Sequence, residues 1–94
     1  MKTGQRANWV IRAHGPYWQP DLIKGEYLTR YDPEANNGEG AVDFAADPRQ
    51  AMLFPTRAAA RKLIQTVPVA RPLRDDGLPN RPIRCFDLEV VKVP

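Results

Sequence analysis

Between residues 7 and 13 the chain reads Ala-Asn-Trp-Val-Ile-Arg-Ala. These residues suit a half-buried strand, with Trp9 and Ile11 on one face and Val10 and Arg12 on the other. His14-Gly15-Pro16 ends it, because proline cannot donate to a ladder and glycine supplies the turn. A loop over 17–24 leads to a second strand at 25–31, where Tyr27, Thr29 and Tyr31 alternate with Leu28 and Arg30. The turn-dense stretch 32–40 joins it to a short third strand at 41–45, pairing with the second.

Helical spacing follows. Asp47-Pro48 reads as a cap followed by proline at the first helical position, with room for a single turn. Thr56 caps the main helix, 57–66, whose Ala60, Leu63, Ile64 and Val67 form one apolar stripe while Arg57, Arg61 and Lys62 lie off it. Pro68 terminates it, because the residue before a proline is pushed out of the α conformation. Residues 68–82 form a long exposed loop rich in proline and arginine, a length that is usually functional or disordered. The segment 83–93 predicts a last strand, with Phe86, Leu88 and Val90 alternating against Asp87 and Glu89. The sum is one α+β domain over residues 1–94, in the order β-β-β-(short α)-α-β. It is a small antiparallel sheet of three to four strands with one main helix on one face.

Composition narrows the chemistry. The 94 residues contain no serine, one histidine (His14) and one cysteine (Cys85). That removes serine nucleophiles, a disulfide framework and a His/Cys zinc site within one chain. No catalytic residue, metal or cofactor is expected. The lone cysteine fits a reducing cytoplasm. No apolar run approaches a membrane span, and the first residues lead into a polar stretch rather than a signal peptide.

The net charge of +3 is unevenly spread: residues 1–47 carry −2 and residues 48–94 carry +5. Arg57, Arg61, Arg71, Arg74, Arg81 and Arg84 could share one basic surface for an acidic protein patch or a nucleic-acid backbone. The plainer alternative is a solvated face partly neutralised by Asp75 and Asp76. Tyr17 and Trp18, beside the Gly15-Pro16 turn, make a candidate contact cluster. A small sheet favours the other placement, with Trp18 folded back over an open end of the core. The exposed faces of Tyr27 and Tyr31 offer a homodimer contact, and stacking of bases on the strand tyrosines carries less weight. Cys85, placed on the last strand, is read as structural. An enzyme would require His14 or Cys85 to meet a carboxylate in a cleft.

One pattern is familiar. Asp47-Pro48-x-x-Ala51-x-x-Phe54-x-Thr56-x-x-x-Ala60, after strands that begin Trp9-Val10-Ile11, resembles the layout of small phage and mobile-element proteins over residues 9–67. Among these are anti-CRISPR inhibitors, which the chain resembles in size and character. The resemblance implies a cytoplasmic accessory protein of a usually non-enzymatic class that binds a host protein such as a Cas protein or effector complex; the strand faces leave it a monomer or homodimer. The expected contacts are Tyr17, Trp18, Arg57, Arg61, Arg71, Arg74 and Arg81. The alternative is a nucleic-acid-binding module built on the arginines.

Overall fold

Burial on both faces marks the central strand. In the computed structural model, which describes residues 8–93, Val10, Ile11 and Ala13 are fully buried. They lie on β1 (Trp9–Gly15), which has a partner on each side. β2 (Ile23–Asp32), β3 (Ala41–Ala45) and β4 (Asp87–Lys92) complete an antiparallel sheet in the order β3-β2-β1-β4. The α+β class and the β2–β3 pairing agree with the sequence pattern. The order along the chain differs by a short helical piece at Ala35–Gly38, and by a 3-10 turn at Pro82–Cys85 before β4.

Two strands depart from the expected register. β1 continues through His14, which pairs with Asp87, to Gly15; the expected start at Ala7 lies outside the described residues. In β2, Leu28 pairs with Phe44 but Arg30 with Asp43, so Thr29 is an extra residue in a bulge. The alternation of Tyr27, Thr29 and Tyr31 is therefore broken. Tyr31 turns inward and joins Ile11, Leu28, Phe54, Ala60 and Ile83 in the core. It offers no exposed ring for stacking or for a second copy of the chain. Its hydroxyl is buried beside the Ile83 backbone without a well-formed hydrogen bond, and burial raises its pKa.

The helix α1 (Arg57–Ile64) forms as its sequence dictates. Thr56 Oγ1 accepts the Ala59 N–H at 3.0 Å, satisfying one of the donors left open at a helix start. Its stripe packs on the sheet, with Ala60 fully buried and Ala59, Leu63 and Ile64 beside the core. The helix stops two residues short of Thr66, whose hydroxyl donates to the Lys62 carbonyl at 2.9 Å. Pro68 is therefore not the stop itself; it is fully buried. Ahead of the helix, Asp47 Oδ1 accepts the Arg49 N–H and one 3-10 turn (Pro48–Gln50) follows, as expected. Phe54 then returns to β1, exchanging two backbone hydrogen bonds of 2.9 Å with Trp9.

The expected start of the last strand is corrected too. Pro82, which has no N–H to give a ladder, opens the 3-10 turn that carries Ile83 and Cys85. Ile83 is almost wholly buried at that turn. Among the described residues no helix is long and apolar enough to cross a membrane.

Ile83→Ala should lower the unfolding free energy by about 2–5 kcal/mol, the cost of truncating a buried aliphatic side chain. Leu53→Ala, at a position 58% exposed, should stay within about 0.5 kcal/mol of the parent. Urea melts of the three proteins check both.

Candidate binding surface

The long loop is held down rather than free. Glu34, in the β2–β3 connection, accepts the Val69 N–H at 2.7 Å and the Ala70 N–H at 3.0 Å, one on each carboxylate oxygen. Asn80 Nδ2 donates to the Gly38 carbonyl at 2.7 Å and to the Arg71 carbonyl at 2.9 Å. Asn36 and Asn37 adopt left-handed backbone there, and Gly38 follows at φ +88°. A Cβ on Gly38 would lie 2.6 Å from the Arg71 Cβ, so only glycine allows the two connections to meet this closely.

Within the loop, Leu73 bridges Pro79 around a tight turn. The turn is closed by Gly77 N–H to Arg74 O (3.0 Å) and Arg74 N–H to Leu78 O (2.8 Å). Asp76 accepts from the Arg74 guanidinium and, at 3.0 Å, from the Leu78 N–H. These hydrogen bonds, the Arg74 one first, hold the Asp76 carboxyl below its ordinary pKa. Its contribution to the turn is present above the ordinary carboxylate range and is lost as pH falls through the lowered value.

Beside the loop's Arg74 and Arg81 the β1–β2 connection projects two aromatic rings. Tyr17 is 76% and Trp18 64% exposed, packed edge to face with centroids 4.9 Å apart. The Tyr17 N–H donates to the Cys85 carbonyl at 3.0 Å, tying this connection to the Pro82–Cys85 turn. Trp18 does not fold back as a lid. Phe86 lies against this end of the core instead, its ring edge to face on Phe44 at 4.9 Å.

The arginines divide into two groups. Arg74 and Arg81 meet Tyr17 around a cavity of about 420 Å³, which Asn80 and Arg84 also border. Arg81 is half-buried, and its Nε is buried without a hydrogen-bond partner. Among the described residues, neither Arg81 nor Arg84 is in an ion pair, whereas Arg74 is paired with Asp76 and Arg71 with Asp75. Arg57 lies elsewhere, its guanidinium 4.8 Å from the centroid of the Trp9 ring. Trp9 and Gly15 are at opposite ends of β1, about 20 Å apart at the rise of a strand. Arg61, on the same helix, is exposed. The predicted set is thus not one surface: Tyr17, Trp18, Arg74 and Arg81 converge, Arg71 is paired with Asp75 within the loop, and Arg57 and Arg61 belong to the helix.

Glu34 and Asn80 escaped the sequence reading because their partners lie 35 and 42 positions away. The only local signal was Asn36-Asn37-Gly38, a run that tolerates left-handed backbone.

His14, Cys85 and Asp87 border a second cavity, of about 330 Å³, beside Tyr17. His14 Nε2 lies 3.6 Å from Glu89 on the neighbouring strand. Burial pushes the Cys85 thiol above its ordinary pKa, which keeps it protonated near neutral pH and works against a nucleophilic role.

Compared with family models, curated proteins and solved structures, the chain matches none.

At neutral pH, Cys85 should react with iodoacetamide more slowly in the folded protein than after unfolding. Its pH midpoint should lie above that of a free thiol. A midpoint below the free-thiol value would mark an activated thiolate and restore an enzymatic role.

Proposed function

We propose that this chain is a small, non-enzymatic, cytoplasmic accessory protein that acts by occupying the surface of another protein. The observation that carries this reading is the exposed Tyr17–Trp18 pair, anchored through the Tyr17 N–H and flanked by arginines. Aromatic side chains give large contact area at low entropic cost, and with arginine they dominate protein-binding hot spots. A monomeric protein leaves two adjacent large aromatic rings in water at a cost that a partner surface removes. The most concrete form, supported by the resemblance in size and layout to small phage and mobile-element proteins, is stoichiometric inhibition of a host Cas protein.

A nucleic-acid-binding module is the second reading, favoured by Arg81 and Arg84 standing beside Tyr17 without carboxylate partners among the described residues. It requires affinity for duplex DNA that falls with salt at a log–log slope of about −0.9 per phosphate contact.

The protein-binding reading predicts a stoichiometric partner when the tagged protein is recovered from bacterial cells. Tyr17→Ala with Trp18→Ala should abolish that capture while lowering the melting temperature by no more than about 8 °C, because surface truncations rarely exceed about 0.5 kcal/mol each. Arg57→Ala with Arg61→Ala, at the distant helix, should leave capture intact. Recovery of no partner, or loss of capture only in the helix variant, would defeat the reading.

A further inference from the structure

Two cavities of different chemistry share a wall at this end of the molecule. The first, of about 330 Å³, is lined by Gly15, Pro16, Pro20 and Phe86, with Asp87 on its border. The second, of about 420 Å³, is bordered by Arg74, Asn80 and Arg81. Tyr17, Arg84 and Cys85 belong to both. One side of the shared wall therefore suits an apolar side chain, and the other suits an anion.

The charge pattern selects the ligand. Arg74 is satisfied by Asp76, but Arg81 and Arg84 have no carboxylate partner among the described residues. Two unpaired guanidinium groups bordering one cavity suit a carboxylate, which takes two N–H groups in one plane. A nucleic-acid strand would need cations continuing along its backbone. The next arginines, Arg74 and Arg71, are instead matched to Asp76 and Asp75.

Resting on the protein-binding reading, we infer that this double cavity receives a short acidic segment of the partner protein. An aromatic or large aliphatic side chain enters between Pro16 and Phe86, and an Asp or Glu a few residues away pairs with Arg81 and Arg84. Asp87 borders the apolar cavity and repels a carboxylate there, which fixes the direction in which the segment lies.

The test is selection of displayed random peptides on the immobilised full chain, run in parallel on Arg81→Gln/Arg84→Gln. The exposed Arg84→Glu serves as a second variant, and thermal melts establish that each is folded. Enriched peptides should carry Asp or Glu within a few residues of an aromatic or large aliphatic side chain. A synthetic peptide from the selection should bind either variant about tenfold or more weakly in fluorescence anisotropy. The inference is overturned by enriched peptides without acidic residues, by equal binding to the variants, or by no enrichment at all. It is equally overturned if a short oligothymidylate binds in their place with dependence on Arg81 and Arg84. Partner capture that needs Tyr17 and Trp18 but not Arg81 and Arg84 defeats this inference alone and leaves protein binding standing.

Discussion

A carboxylate and a carboxamide fix the course of the long loop. Glu34 collects the backbone N–H groups of Val69 and Ala70, and Asn80 spans the carbonyls of Gly38 and Arg71. Through them the long loop and the β2–β3 connection become one support. Without that support, Arg74 and Arg81 would hang on a proline-rich loop and would have no defined distance from Tyr17. Each such hydrogen bond contributes about 0.5–1.5 kcal/mol net. The exposed Arg71–Asp75 and Arg74–Asp76 pairs are screened by solvent and add little to stability. The visible ion pairs therefore shape the loop tip, while the backbone-directed contacts decide where the loop sits.

The sheet supplies the rest of the geometry. Because β1 lies centrally and ends at Gly15, the turn after it leaves the sheet beside the 3-10 turn that precedes β4. The Tyr17 N–H then reaches the Cys85 carbonyl. Ile83 anchors that 3-10 turn in the core, which carries the packing of the hydrophobic interior directly to Arg84 and Cys85 on the surface. With Phe86 against this end of the core, Tyr17 and Trp18 are released from a packing role. A small domain that can cover its core without two of its largest side chains has them available for a partner.

What could be read from the sequence was local. Thr56 as a cap, the Asp47-Pro48 turn, the apolar stripe from Ala60 to Ile64 and the pairing of β2 with β3 all follow from neighbours in the chain. The bulge at Thr29 did not, because an extra strand residue changes no local propensity and is settled by how Leu28 and Tyr31 both reach the core. Ile83 looked like a strand residue because a β-branched side chain followed by alternation has the same pattern in either setting; the proline before it decided otherwise. In the candidate site, the residue types were legible but their grouping was not. Arg57 and Arg81 look alike in a charge count, and only the fold separates them. The loop's order was hidden most deeply, since Glu34 and Asn80 act on backbone groups that carry no sequence signature.

The central claim is that the loop is ordered by its docking on the β2–β3 connection. It is tested most directly by amide hydrogen exchange at Val69, Ala70 and Asn80, followed by NMR in the parent and in Glu34→Ala. Clear protection is expected at these amides in the parent. In the variant, Val69 and Ala70 should exchange at least about tenfold faster while amides of β1 keep their protection, as expected for local rather than global opening. Exchange at free-chain rates in the parent, or protection unchanged by Glu34→Ala, would contradict it.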